Sequence, residues 1–292
     1  MKIIFLLILT VTTVFSKLNV AVAYPYIEQL TKEIAKERVN VIPLSRGDWD
    51  PHFVVPKPSL VAGLRNADLL IVNGASLEIG WMPPLVNNAN NAKIQPNAKG
   101  YLDLSAYIQL QDIPKRVNRS MGHVHAEGNP HFILDPHNII KLAEVIMLKL
   151  SLLDATNKDF YQNNFKIFKL HWQKKLKLYE RKMQKCQGMM VVQYHELFNY
   201  FLRRYHITSL DNLEPLPGVS PSIKHTLDLV NIIAKNKVKY ILQDVYHEHK
   251  TSTFLAQKTA AKVVDLPHDV GALGSVKTLD DFYDNLVDRL CK

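Results

Sequence analysis

The sequence predicts an α/β protein with two parallel-sheet domains joined by one long helix. In both halves, short apolar runs alternate with amphipathic segments of helical periodicity, which is typical of βαβ units and parallel sheets. Between the halves, Lys158–Lys185 contains no glycine or proline and carries aromatic and leucine residues on a highly charged background. This stretch predicts one helix of about 40 Å at about 1.5 Å per residue, which is a rigid backbone and not a flexible linker.

The first half begins with the apolar run Leu18–Ala23, which predicts a buried strand. Apolar residues at Ile27, Leu30 and Ile34 then have helical spacing. The predicted elements are the strand Leu18–Ala23, the helix Tyr24–Glu37, the strand Val39–Leu44, the helix Ser59–Asn66, the strand Asp68–Asn73 and the helix His137–Leu153.

The second half repeats this alternation and is interrupted by a proline-rich loop at Leu213–Pro221. We predict a first domain over residues 17–153, the linking helix over 154–185 and a second domain over 186–292. The other predicted elements are the strands Gly188–Tyr194, Ile207–Leu210, Val238–Leu242 and Lys262–Val264, and the helices His195–Tyr205, Ser222–Lys235, Thr251–Ala260 and Leu279–Leu290.

Residues 1–16 resemble a cleaved signal peptide. Lys2 precedes an uncharged, mostly apolar run, Ile3–Phe15, that is too short to span a bilayer. Val14 and Ser16 are small residues at the −3 and −1 positions of a cut before Lys17. The segment therefore predicts an exported protein, most simply a periplasmic one.

The chain is basic, with a formal net charge of +9, and much of the excess lies in Lys166–Lys185. On an exported protein, such a run favours a solvated helix face over an arm that binds nucleic acid. Two cysteines, Cys186 and Cys291, are present, and neither belongs to a CxxC pair. An even count in an oxidising compartment favours one disulfide over a thiolate metal site.

Three histidines occupy loops that follow predicted strands or precede helices. His52 ends Gly47-Asp-Trp-Asp-Pro-His, His131 ends Gly128-Asn-Pro-His, and His195 directly follows the strand MVVQY. Ligands of open α/β sheets bind beyond the carboxyl ends of the strands, so the three predict a site in the cleft between the domains. A single histidine in such a place is more often structural, but the repeated setting favours a metal such as Zn²⁺, which neutral imidazole binds at about 2.0–2.1 Å.

The arrangement resembles the metal-specific solute-binding proteins of ABC importers, the zinc and manganese group. Five segments carry the resemblance in the family's order, and Asn129-Pro-His-x-x-x-Asp-Pro136 is its most specific motif. The segments are GDWDPHFVVPKPS (47–59), NGASLEIGWMPPL (73–85), GHVHAEGNPHFILDP (122–136), VVQYHELFNYF (191–201) and EPLPGVSPS (214–222).

This resemblance implies that His52, His131 and His195 are metal ligands. Manganese-specific members usually have a carboxylate at the third position, so His195 there favours zinc. For the fourth ligand the resemblance implies an aspartate near the last strand. Asp269 is the preferred residue, with Asp265, His268 or water as alternatives. The implied function is capture of zinc by a monomer and delivery to the permease and ATPase subunits of an importer.

Several alternatives remain open at this stage. Three histidines and a water also suit a zinc hydrolase with Glu196 as general base, although HExxH is absent and we predict that the protein is not an enzyme. A metal-dependent adhesin or metallochaperone shares the same capture chemistry. His123 and His125, with Glu127, either make a weak first contact with the ion or lie in a solvent loop. For His247 and His249 a solvated loop is favoured over an adventitious zinc site.

Overall fold

The computed structural model describes residues 17–115 and 125–291. The predicted signal peptide, residues 1–16, and His123 lie outside the described residues. In the two described ranges, no helix has both the length and the apolar character that crossing a membrane requires.

The first half forms a four-stranded parallel sheet with helices packed on it. Its elements are β1 (Leu18–Val22), α1 (Pro25–Ala35), β2 (Val39–Pro43), α2 (Pro58–Arg65), β3 (Leu69–Val72), α3 (Met82–Ala89), β4 (Tyr101–Asp103) and α4 (Asn138–Leu153). The strand order is β2-β1-β3-β4. Every residue of β3 is buried, as expected of a central parallel strand covered by helices on both faces.

The second half forms another four-stranded parallel sheet and follows the long helix α5 (Lys158–Met183). Its elements are β5 (Met190–Gln193), α6 (Asn199–Arg204), β6 (Thr208–Asn212), α7 (Ile223–Asn236), β7 (Tyr240–Gln243), α8 (Lys250–Lys258), β8 (Lys262–Asp265) and α9 (Leu279–Leu290). The strand order is β6-β5-β7-β8. The predicted class, two parallel α/β sheets joined by one long helix, is confirmed; the exact domain boundaries stay predictions.

Some elements differ from the sequence prediction. α3 and β4 were not predicted, because one contains two prolines and the other has only three residues. The segment predicted as the helix His195–Tyr205 instead starts with His195 in an extended conformation and a 3₁₀ turn at Glu196–Phe198. Because His195 precedes this turn, it lies outside helix α6, and its side chain is not part of the helix surface.

The buried face of α5 connects the two halves. A core side chain recurs every three or four residues along it, and these residues belong to one apolar cluster that includes the first sheet, α4, α6 and α9. They are Tyr161, Phe165, Phe168, Trp172, Leu176, Tyr179 and Met183. Trp172 Nε1 donates to the Pro136 carbonyl at 2.8 Å. A smaller cluster fills the other side of the second sheet.

One flank of α5 carries basic side chains, and three of them pair with the acidic face of α9. The pairs run in the same direction along both helices, so α5 and α9 are parallel neighbours. They are His171–Asp280, Lys175–Asp284 and Lys182–Asp288, at 2.9, 2.8 and 2.6 Å.

A disulfide between Cys186 and Cys291 closes this seam just beyond the two helices. The Cα atoms are 6.0 Å apart, within the ordinary range for a disulfide, and the sequence separation is 105 residues. The predicted pairing is therefore confirmed.

We expect the double variant Cys186→Ser/Cys291→Ser to lose about 2–5 kcal/mol of the free energy of unfolding, because the bridge restricts the unfolded chain over a long loop. Urea unfolding with and without dithiothreitol measures this. Reductant should lower the wild-type midpoint to that of the variant and leave the variant unchanged. A wild-type midpoint that ignores reductant would contradict the assigned contribution.

Candidate metal centre

The loop that follows β2 positions His52. The carbonyl of Pro51 accepts hydrogen bonds from the hydroxyl of Tyr24 at 2.9 Å and from Nε1 of Trp81 at 3.1 Å, and both donors are buried. Asp50 Oδ1 accepts from the backbone N–H of His52 at 2.9 Å and from its ring Nδ1 at 2.8 Å. The backbone and the ring of His52 are thereby both fixed.

His131 lies in the loop before α4, and the same kind of turn holds it. Asn129 Oδ1 accepts from the backbone N–H of His131 at 2.9 Å. The preceding Pro130 carbonyl accepts from Asn73 Nδ2 at 3.0 Å. The Asn129 side chain also donates to the Glu196 carbonyl at 2.9 Å, which ties this loop to the second half of the chain. His131 is buried, with 3% of its surface exposed.

His195 directly follows β5 in an extended conformation. Its Nδ1 lies 3.0 Å from Glu214 Oε2, and both residues are buried. The loop that carries Glu214 begins at the end of β6, so two neighbouring strand ends supply the histidine and its carboxylate. This is the edge of a parallel sheet where ligand-binding groups collect.

The structure brings the three predicted histidines together. His52, His131 and His195 each offer one ring nitrogen, and these nitrogens all lie within 4.8 Å of one another. His131 Nε2 and His195 Nε2 are 3.3 Å apart. Two nitrogens bound tetrahedrally to zinc at about 2.0–2.1 Å lie about 3.3 Å apart, so this spacing fits one such ion.

The neighbouring carboxylates set which ring nitrogens are available to a metal. Asp50 and Glu214 accept from Nδ1 of His52 and His195, so the proton of each neutral ring sits on Nδ1. Each Nε2 is left with its lone pair directed into the group. Carboxylates that orient metal-binding histidines in this way also raise their basicity.

Burial keeps two of these rings neutral. It lowers the pKa of His131 well below its usual value, and the neighbouring histidines lower the pKa further. Burial also lowers the pKa of His52, although Asp50 opposes this. Neutral imidazole is the form that binds metal.

His247 contacts Glu214, the carboxylate that holds the ring of His195. Its Nδ1 contacts Asp244 Oδ2 at 2.8 Å, its Nε2 contacts Glu214 Oε1 at 3.3 Å, and its ring stacks on Tyr194. Burial alone would lower the pKa of His247, but Asp244 and Glu214 raise the pKa to about 9. The prediction that His247 lies in a solvated loop is therefore wrong. The prediction fits His249, whose side chain is 46% exposed and contacts Asp265.

The loop that contains the predicted fourth ligand packs against the His52 loop. His268 Nε2 donates to the Trp49 carbonyl at 3.1 Å, and a Cβ built on Gly47 would lie 1.8 Å from the Val270 carbonyl oxygen. In the described residues Asp269 is not part of the group of three histidines. Its Oδ1 accepts from the Val270 N–H, and burial raises its pKa well above the usual value. Its role as a ligand stays a prediction.

His125 lies next to the group. Its Nε2 is 3.2 Å from His52 Nε2, and the two rings stack with centroids 5.2 Å apart. The residue is 9% exposed, so it is not part of an open solvent loop.

A small cavity of about 20 Å³ lies beside the group of histidines. It is bounded by Asp50, His52, His195, Glu214 and His247, among others, and His131 is not among its lining residues, so it adjoins the site on the side of the two carboxylates.

The amino-acid sequence matches a known protein family. The family model described as "ZnuA: Zinc-uptake complex component A periplasmic" matches residues 20–291. The chain belongs to this family.

Two relatives of the family show the range of named metals. The zinc-binding lipoprotein AdcA of Streptococcus pneumoniae is 25% identical over 260 residues, which cover 87% of this chain and 49% of AdcA. The manganese ABC transporter substrate-binding lipoprotein PsaA of the same species is 29% identical over 203 residues, which cover 68% of this chain and 62% of PsaA. The chain thus spans about half the length of AdcA and less than two thirds of PsaA.

A crystal structure of ZnuA has the same fold. Its TM-score is 0.79 at 21% sequence identity, and the match covers 94% of this chain and 100% of that chain.

Sequence reasoning missed the supporting residues. Asp50 and Glu214 both lie in segments that carry the family resemblance, but the sequence alone indicates no role for either. A carboxylate two residues before His52 was a usable signal, because such a side chain can turn back onto the ring. Glu214 gave no comparable signal, since it meets His195 only through the pairing of β5 with β6.

We expect Gly47→Ala to disrupt the contact between the His52 loop and the Val270 segment, because its Cβ has no room beside the Val270 carbonyl. Overpacking of this kind costs about 1–3 kcal/mol of stability. Gly274→Ala is the matched control, since a Cβ there meets nothing within 4 Å. Thermal melts of the metal-free proteins measure both. Equal melting temperatures for the two variants would show that the close approach at Gly47 does not exist.

We expect His247 to stabilise the metal-free protein only while it is charged. Because the folded state raises its pKa to about 9, its contribution is complete below about pH 6.5 and is lost as the pH rises through about 9. The difference in the free energy of unfolding between wild type and His247→Ala should shrink by about 3 kcal/mol from pH 6 to pH 10, since a tenfold change in proton affinity corresponds to about 1.4 kcal/mol. Urea unfolding in a chelator measures it. A difference that stays constant between pH 6 and pH 10 would contradict this contribution.

Proposed function

We propose that this protein captures zinc outside the cytoplasm and delivers it to an ABC-type importer, with His52, His131 and His195 as direct ligands. One observation carries the proposal: three ring nitrogens from three separate loops lie within 4.8 Å of one another. Asp50 and Glu214 hold two of these rings with the lone pair directed inward. A buried group of this kind is poor at stabilising a fold by itself and well suited to binding a cation.

The choice of zinc over manganese rests on the donor set. Imidazole suits zinc, whereas manganese is typically bound by carboxylate, carbonyl and water oxygens. Within the described residues, the group of mutually close ligand atoms contains three histidines and no carboxylate. Both metals occur in the names of the relatives, so the donor set supports zinc where family membership alone leaves the metal open.

The proposed role is that of a carrier, not an enzyme. The cavity of about 20 Å³ beside His52 and His195 leaves little room for a substrate next to these two rings. A neighbouring cavity of about 210 Å³ is bounded by His195 and Glu196, so the hydrolase alternative has a defined location. Turnover of ester or peptide substrates by the zinc-loaded protein would contradict the carrier role.

Delivery requires partners and export. We propose that a cleaved signal peptide over residues 1–16 directs a monomer to the periplasm, where it docks on a permease whose ATPase subunit drives uptake. The named lipoprotein relatives are membrane-anchored counterparts of such a component. Growth of a deletion strain under zinc starvation separates uptake from adhesion: a defect rescued by added zinc supports uptake, and normal growth with lost adhesion contradicts it.

We expect zinc to bind with one-to-one stoichiometry and far more tightly than manganese. It should stabilise the protein by about 4 kcal/mol at a thousandfold excess over Kd. His195→Ala should abolish most of this stabilisation because it removes one of the three nitrogens. His225→Ala is the control, since that histidine hydrogen-bonds the Asn212 carbonyl and lies outside the group. Calorimetric titration and thermal melts measure both. Equal affinity for manganese, or unchanged zinc affinity in His195→Ala, would overturn the assignment.

A further inference from the structure

We propose that His125 is the fourth ligand of the captured ion, which gives a site of four imidazole nitrogens. The inference rests on the proposed function, since it assigns a further residue to the same site. It differs from the aspartate that family resemblance implies, and it follows from the placement of the His125 ring.

The position of the ring is the first argument. His125 Nε2 is 3.2 Å from His52 Nε2, and His131 Nε2 is 3.3 Å from His195 Nε2. Both separations match the roughly 3.3 Å between nitrogens that share a tetrahedral zinc ion. The His125 ring also lies edge-on to His131, with centroids 6.1 Å apart. His125 is not a member of the group of three whose nitrogens all lie within 4.8 Å of one another, so its ring has to move toward His131 and His195 when an ion binds.

The backbone around His125 is the second argument, because it holds this segment close to the site. The Gly128 N–H donates to the His125 carbonyl at 3.1 Å and closes a turn. Asn129 N–H donates to the Gln111 carbonyl at 2.7 Å. In the same turn, Glu127 Oε1 accepts from the hydroxyl of Ser76 at 2.7 Å. These bonds tie the His125 segment to the first half of the chain, on the side of the site where His52 lies.

Charge is the third argument. Four neutral imidazoles leave the two positive charges of the ion uncompensated by its ligands. Asp50 and Glu214 supply two negative charges, each through a histidine ring, and the positive charge of His247 beside Glu214 is balanced by Asp244. The carboxylate of Asp269 instead accepts from the Val270 N–H, so the site reaches neutrality without it.

In the metal-free protein, the same four histidines already form two hydrogen-bonded pairs. With the protons of His52 and His195 on Nδ1, their Nε2 atoms act as acceptors. His125 and His131 then donate from Nε2, which forms two N–H···N hydrogen bonds. An entering ion replaces these two hydrogen bonds with four metal–nitrogen bonds. Solvent water takes the Nε2 proton of His125 and of His131 and returns one to Nδ1 of each ring, so the exchange releases no net proton.

Cobalt(II) in place of zinc tests the proposal, because its visible absorption is strong in tetrahedral sites and weak in six-coordinate ones. Wild type should show the intense tetrahedral spectrum, and X-ray absorption of the zinc form should count four nitrogens. His125→Ala should weaken zinc binding by at least the roughly 10–100-fold that loss of an outer partner typically costs, and should change the cobalt spectrum. His249→Ala is the matched control and should change neither.

The outcomes separate this proposal from the proposed function. If wild type fails to bind zinc tightly, the proposed function fails. If wild type binds zinc while His125→Ala keeps both the affinity and the cobalt spectrum, the assignment of His125 is overturned and the proposed function stands. Outer-shell scattering from fewer than four imidazole rings in the wild-type X-ray absorption also overturns it. Loss of zinc binding in Asp269→Asn would then identify the carboxylate, and its retention would identify water.

Discussion

The constraint on which the site depends is that three histidine rings have to be held against one another before an ion arrives. His52, His131 and His195 lie together because other residues hold each of their loops in place. Pro51 is held by two buried donors, Asn129 spans both halves of the chain, and Glu214 is shared by two histidines. The ordering of the loops is thus completed during folding, so an arriving cation does not have to supply it.

The same arrangement limits how the two halves can move. They share one apolar core through α5 and α9, and near the site the hydroxyl of Tyr200 donates to the Asn129 carbonyl while Arg204 pairs with the buried Asp135. Helix α6 therefore ties the second half to the loop that carries His131, and wide hinge opening would break these buried contacts.

Much of the fold and part of the site follow from sequence. Buried parallel strands are continuous apolar runs, so β1, β3, β5 and β7 were predictable, and histidines after such strands fall at one edge. Other features depend on contacts between distant residues. Nothing local distinguishes His247 from His249, since only the former meets Glu214. The fourth ligand also depends on the paths of two loops, which short-range patterns do not specify.

The parallel pairing of α5 with α9 has a consequence for how the chain is made. Trp172 and Tyr179 lie against Tyr283, which is more than a hundred residues later in the sequence, and the Tyr283 hydroxyl donates to the Ile133 carbonyl. A ribosome releases the first sheet and α5 long before α9. Until α9 emerges, Trp172 and Tyr179 lack their contact with Tyr283, so the apolar face of α5 is only partly covered by earlier elements. Such a protein depends on being kept from collapse or aggregation until the second half of the chain has been made.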